Sequence, residues 1–244
     1  MFRNNPRIVT DGLQFCVDAA SASCYAGSGS TVTDEAGAVA GTKGSSVNYV
    51  DTNAGKSFDF TENSSTNNLI RFTGSSSTQF EFSAQTVCTW LRTTTTKQNM
   101  DFVTGTKDTD TSDRWRHQTT NTQGGAKGIE LDWYLPTNGV WGTFSYSIIN
   151  YDDGDWHYFV TQFDDTSTTG KLYWDNVYYA YSVNNISQDW MVGHGINQIN
   201  VGGDAAELGA NFIGQMSIVQ IYNRMLSAKE ISQNFNAQRS RFSV

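Results

Sequence analysis

Proline and cysteine are scarce in this chain: its 244 residues hold two prolines, Pro6 and Pro136, and three cysteines, Cys16, Cys24 and Cys88. With no linker, no Pro-rich hinge and no block of like charge, nothing in the sequence divides it. We therefore expect a single domain over residues 12–244, preceded by an N-terminal arm over residues 1–11. An odd number of cysteines, at spacings that fit no zinc site, argues against a disulfide framework. They read as ordinary thiols, with Cys16 and Cys88 on inward strand faces; a Cys16–Cys24 bridge would require an oxidising medium. Positive charge is short as well, with 16 Lys and Arg against 24 Asp and Glu and a net charge of −8. Such a surface repels a phosphate backbone, so no nucleic-acid partner is expected. No run of about 18 apolar residues is present, so no membrane-inserted helix is expected. The opening "MFRNNPRIVTDG" lacks an apolar segment behind its basic residues, which leads us to expect no secretory signal peptide and synthesis in a cytoplasm.

Aromatic residues, by contrast, are plentiful, with seven Trp, eleven Tyr and fourteen Phe. They supply the apolar area a packed core needs, and a chain of this length buries about three quarters of its unfolded surface. Strand signals recur with turn residues between them, from "GLQFCVD", "KSFDF", "NLIRFTG" and "TVCTWLRT" to "MDFVTGT", "RWRHQTT", "GIELDWYL" and "WGTFSYSI". "WHYFVTQFD", "KLYWDNVYYAYS", "INVGG" and "FIGQMSIVQIYN" follow. Several alternate apolar and polar residues, as half-buried antiparallel strands do. The pattern predicts an all-β fold, an antiparallel β-sandwich or jelly roll. The small-residue stretches over 20–46 and 93–100 read as long surface loops. One helix is expected near the end. Ser227 with Glu230 forms an S-x-x-E capping box, and Leu226 with Ile231 forms the hydrophobic staple. Ile231 and Phe235 share one face, and the helix is expected to close an open end of the sandwich.

Four stretches together resemble the concanavalin A-like lectin/glucanase superfamily, in its laminin-G-like and pentraxin-like branch. They are "KSFDFTENSSTNNLIRF", "FEFSAQTVCTWLRT", "DGDWHYFVTQFDDTSTTGKLYWDN" and the closing "IGQMSIVQIYNRMLSAKEI". The third is similar to the family's "G-x-W-H" strand and "L-Y-x-D-G" hairpin, the fourth to its final strand, "Y-N-R-x-L-S" turn and short helix. The N-terminal "RIVTDGLQFCVDAASASCYAGSGSTVTDEAG" resembles the leader on domains of this branch in virion proteins of tailed bacteriophages, with Val32 at a usual Trp and Ala36 at a usual Ser. The resemblance implies a non-enzymatic structural or decorating protein on the virion surface, with capsid decoration favoured over tail or baseplate. Its partners would be other virion proteins, capsid or tail subunits, in a multicopy or homo-oligomeric arrangement. The alternative is a carbohydrate-binding adhesion module that recognises host surface glycans.

The superfamily includes glycoside hydrolases, which need a pair of carboxyls, and its glucanases supply them from one strand as E-x-D-x-(x)-E. Here Glu130 and Asp132 are present but Tyr134 and Leu135 stand where the second glutamate belongs, so no catalytic residue and no enzyme activity are expected. Glu130 and Asp132 are expected on the solvent face of their strand. His117, His157 and His194 lie far apart, and His157 reads as a packed structural histidine. "DTDTSD" at 108–113 lacks the glycine and glutamate an EF-hand loop requires. Calcium is nevertheless a candidate ligand for loop carboxylates: Asp152, Asp153 and Asp155 are the metal candidates, with Asp164 and Asp165 as a second cluster, although turns favour Asp for backbone reasons alone. No sugar contact is assigned; Trp141, Trp174, Tyr178, Tyr179, Tyr181 and Trp190 are the aromatic pool from which stacking residues would come.

Overall fold

The computed structural model describes residues 7–37, 39–61, 67–107, 113–121, 127–135, 140–147, 150–165, 169–179, 182–184, 192–204 and 209–244. In chain order the strands are β1 (Leu13–Asp18), β2 (Thr31–Thr33), β3 (Ala40–Lys43), β4 (Val47–Thr52), β5 (Gly55–Phe60), β6 (Ile70–Thr73), β7 (Ala84–Arg92), β8 (Asp101–Thr106) and β9 (Arg114–Asn121). They continue as β10 (Lys127–Leu135), β11 (Val140–Ser147), β12 (His157–Asp164), β13 (Thr169–Trp174), β14 (Val177–Tyr179), β15 (Ser182–Asn184), β16 (Gln198–Val201) and β17 (Gly214–Tyr222), and α1 (Ala228–Phe242) closes the chain. One sheet runs β14-β13-β12-β7-β17-β5-β4, with β1 also paired to β17; the other runs β15-β11-β10-β9-β8-β16-β6-β3-β2. Every strand pair within them is antiparallel, so the expected sandwich is the fold.

Period-two alternation builds two cores rather than one. Between the sheets lie Phe15, Phe58, Phe72, Phe102, Trp115, Trp133, Phe159 and Ile221. On the outer face of the eight-stranded sheet, Trp90, Tyr158, Ile218 and Tyr222 pack with Ile231, Phe235 and Phe242 of α1. The helix therefore covers a sheet face instead of closing an open end of the sandwich. The reason is Trp90: its ring stacks on Phe242 at 4.0 Å and 8° and on Phe235 at 5.7 Å and 12°, while its indole N–H donates to Gln238 Oε1 at 2.8 Å. The capping box at Ser227 and Glu230 is present. Glu230 also pairs with Arg224, and this partner together with the Ser227 N–H holds its carboxyl down at about 2.

Three other expectations change. Residues 20–46 are not loop throughout, because β2 and β3 form the edge of the nine-stranded sheet. Their residues are small, so no apolar alternation marks them; at Gly41 a Cβ would stand 2.5 Å from the Phe72 ring. Cys16 and Cys88 are buried, but on the helix side of their sheet, since Phe15, Val17 and Val87 take the inter-sheet positions. All three cysteines are free, and burial pushes each thiol up to about 12. Of the expected arm over 1–11, residues 7–11 lie against the body: Val9 is buried, its N–H donating to Asn234 Oδ1 at 2.8 Å and its carbonyl accepting from the Tyr222 hydroxyl at 2.9 Å.

Truncating the ring at the centre of the helix-side core, Trp90→Ala, is expected to lower unfolding stability by about 3–5 kcal/mol in urea titrations. A loss under about 1 kcal/mol would show that the helix is not held by this stack.

Candidate functional site

Alternation along β7 puts Cys88, Trp90 and Arg92 on one face. Helix α1 covers that face as far as Phe242, which leans on Trp156 at 5.1 Å. Arg92, the next residue outward, lies beyond the helix and is only half-buried. Its neighbours across the sheet are set by register: Arg92 pairs with Gln215 of β17, and Gln215 pairs with Asp59 of β5. Paired residues project to the same side, so a guanidinium, an amide and a carboxylate form one row at the strand spacing of about 4.8 Å. The Arg92 Nε donates to Gln215 Oε1 at 2.7 Å, and its guanidinium lies over the Trp156 ring at 5.2 Å.

This row floors a cleft of about 500 Å³ lined also by Thr61, Thr94 and Thr95, within the size range of small-molecule sites. Its wall is fixed by local hydrogen bonds. Buried Thr93 donates its hydroxyl to the Ile213 carbonyl at 2.7 Å and accepts the Thr95 N–H at 3.1 Å. The turn at residues 152–155 closes the rim through Gly154, whose N–H donates to the Thr93 carbonyl at 3.0 Å. Gly154 has φ +87°, and a Cβ there would sit 3.1 Å from Thr94 Cγ2, so glycine alone suits the position.

The metal candidates lie in that same turn but hold separate partners. Asp152 pairs with the Lys127 ammonium. Asp153 accepts from His157 Nε2 at 3.0 Å and from the Asp155 N–H at 2.9 Å. Among the described residues no three His, Cys, Asp or Glu side chains converge as a metal set would. His157 is nearly buried, tilted against Trp174 at 4.5 Å and 31°, and its Nδ1 lies 2.7 Å from Asp175 Oδ2. Burial alone would lower the imidazolium pKa. The hydrogen bonds and charges of Asp175 and Asp153 outweigh it, and the net shift is upward. Of the other candidates, Asp113 contacts His194 at 3.5 Å while 108–112 lie outside the described residues. Asp165 is buried at the turn after β12, and 166–168 are likewise outside.

Glu130 and Asp132 do not make an acid/base pair open to solvent. Asp132 is 2% exposed, not on a free outer face, because Arg116 of the neighbouring strand covers it. Arg116 Nε and Nη2 donate to the two Asp132 oxygens at 2.9 and 2.6 Å. Gln118 Nε2 donates to Glu130 Oε1 at 2.7 Å and to Asp132 Oδ2 at 3.1 Å. With both oxygens engaged by a bidentate arginine, the Asp132 carboxylate has no free oxygen to present to a substrate. His117 is sealed between Phe102 and Phe159, where burial drops its pKa to about 3. In the aromatic pool, Trp174 belongs to the inter-sheet core and Tyr179 packs on Tyr146 at 4.8 Å, while Tyr178 is 52% exposed. Tyr181, Trp190 and the side chain of Trp141 lie outside the described residues. The cleft residues Asp59, Arg92 and Gln215 were not singled out by sequence; the signal available was the polar end of two otherwise apolar strands.

The family model described as the concanavalin A-like lectin/glucanases superfamily matches residues 64–232. Against curated protein sequences the chain has no significant match. Among solved structures, it is similar to domain 4 of AbnA, an extracellular arabinanase from Geobacillus stearothermophilus, determined in complex with arabinotriose: 16% identity, TM-score 0.62, covering 93% of this chain and 98% of that one. The binding domain of Paraclostridial Mosquitocidal Protein 1 gives 16% identity and a TM-score of 0.61, covering 93% of this chain and 52% of that one. The binding domain of Botulinum neurotoxin DC, in complex with rat synaptotagmin II, gives 10% and 0.65, covering 94% and 52%. The chain thus spans about half the length of those toxin domains, and at these identities the likeness is one of fold.

The Asp153–His157–Asp175 arrangement carries a pH signature. A raised folded-state pKa contributes stability that is fully present below the ordinary value of 6.5 and is lost as pH rises through the folded value. The stability gap between the wild type and His157→Gln is therefore expected to be largest below pH 6 and to shrink above neutrality. A gap that grows with pH would contradict the charged-histidine geometry.

Proposed function

The chain belongs to the concanavalin A-like lectin/glucanase superfamily, and from that premise we propose that it is a non-enzymatic glycan-binding module whose ligand occupies the cleft floored by Asp59, Gln215 and Arg92. The row itself is the observation that carries this reading. It offers donors and acceptors at fixed intervals on a rigid sheet, with the Thr94 and Thr95 hydroxyls alongside, the pattern that a polyhydroxylated ligand satisfies. Domain 4 of AbnA, similar along nearly its whole length, was determined with arabinotriose, which supports a saccharide as the ligand class. The tied-down Asp132 and Glu130 support binding without hydrolysis.

The setting we propose is the surface of a tailed-phage virion, as a decorating protein of the capsid in preference to the tail or baseplate, present in many copies beside other virion proteins. The leader pattern supports it, and three of its residues, Asp18, Tyr25 and Asp34, are tied into the fold. Asp18 accepts from Arg241 Nη1 at 2.7 Å, tying the leader to the end of α1. The Tyr25 hydroxyl donates to the Gly29 carbonyl at 2.8 Å. Asp34 accepts the N–H groups of Cys16, Ala36 and Gly37 at 2.7–2.9 Å. Protein mass spectrometry of purified particles tests this setting, and absence of the chain from them would refute it.

For the cleft, Asp59→Ala and Gln215→Ala are expected to weaken binding of a glycan-array hit by about tenfold, since each removes hydrogen bonds to the ligand. Melting temperature should change little, and Glu130→Gln should leave binding intact. Unchanged affinity in both cleft variants, or polysaccharide turnover abolished by Glu130→Gln, would overturn the reading.

A further inference from the structure

The arginines of this protein divide by what they hold. Arg114, Arg116, Arg224 and Arg241 each pair with a carboxylate: Asp204 at 3.1 Å, Asp132 at 2.6 Å, Glu230 at 2.6 Å and Asp18 at 2.7 Å. Among the described residues Arg92 holds an amide and no carboxylate. Its Nε is committed to Gln215 and one face of its guanidinium to the Trp156 ring. Among the described residues its two terminal nitrogens have no acceptor, and Arg92 lines the cleft. Among the described residues Asp59 is the one carboxylate lining that cleft. It stands two strands away, about 9–10 Å by sheet geometry, and forms no ion pair with Arg92.

A guanidinium taken partly out of water without a counter-ion is an unbalanced charge, and an incoming anion stabilises it. The stacked ring and the Gln215 contact fix the plane of the fork before a ligand arrives, so little side-chain entropy is lost on binding. Two parallel N–H donors in a fixed plane match the two oxygens of a carboxylate. Arg71 makes the contrast: it lines a second cleft of about 490 Å³ and donates to Asn200 at 3.4 Å, but among the described residues no aromatic ring lies over its guanidinium.

We infer that the cleft selects a saccharide bearing a carboxylate, a uronic-acid type of sugar, with the carboxylate on the Arg92 fork and the sugar hydroxyls toward Gln215, Asp59 and the threonines. This rests on the glycan-binding reading of the same cleft and specifies its ligand class. The overall charge of −8 opposes an anionic ligand at long range, but at physiological ionic strength that repulsion decays over about 8 Å. The fork acts at contact.

The test is calorimetric titration of the intact chain with an oligogalacturonate, its carboxyl-reduced neutral counterpart and a sulfated galactose oligomer. The wild type should bind the uronate at least about tenfold more tightly than the neutral form. Arg92→Gln should erase that preference, Arg92→Lys should restore only part of it, and Arg71→Gln should leave it unchanged. Equal wild-type affinity for uronate and neutral oligomer would overturn the acidic preference while leaving the glycan site standing, and tighter binding of the sulfated oligomer would overturn the carboxylate assignment. No binding of any saccharide would overturn both readings. The wild-type comparison does not depend on the variants folding, and melting curves identify any that do not.

Discussion

The arrangement of this protein turns on the indole of Trp90. Standing on the central strand of the eight-stranded sheet, it is stacked between that sheet and two phenylalanines of the closing helix. Because the helix ends where Phe242 meets Trp156, the next residue along the strand, Arg92, is left at the margin of the covered surface. The stack thus holds the helix on the sheet, and the left-handed Ser243 cap ends the helix beside it. The cleft is the uncovered remainder of a face that is otherwise buried.

Much of the fold was legible in the sequence, because its strands alternate and are punctuated by turns. The β7 and β12 segments were marked as strands, and the hairpin at Asp175–Asn176 by its resemblance to the family's "L-Y-x-D-G" pattern; both turn residues take positive φ, 49° and 67°. Ser227 and Glu230 announced the helix start through a purely local mechanism. Its destination was not local. The pair Ile231 and Phe235 showed which side is apolar, but which surface it meets depends on Trp90 and Tyr158, far away in the chain. The edge strands β2 and β3 escaped notice because close packing there demands glycine and small residues, which carry no periodic signal.

The site was less legible, for a related reason. Asp152, Asp153 and Asp155 drew attention as a run of carboxylates, yet what their turn contributes to the cleft is Gly154, while two of the three acids serve Lys127 and His157. Arg92, Gln215 and Asp59 come from three strands distant in sequence and are united only by register, which a single chain does not display. The glutamate–aspartate pair of β10 was set aside as catalytic because the third carboxyl is missing. The ion pair of Asp132 with Arg116 and the contact of Glu130 with Gln118 needed the neighbouring strand to be seen.

Fold, cap and cleft therefore form one argument: a lectin-like sandwich whose helix covers one face and leaves a polar row exposed at its margin. The most direct test of that account is amide chemical-shift mapping of the ¹⁵N-labelled chain during titration with an acidic oligosaccharide. The account predicts perturbations confined to residues 59–61, 92–95, 154 and 213–215. Perturbations centred on the exposed hairpin around Tyr178, on the Arg71 cleft, or nowhere, would contradict it.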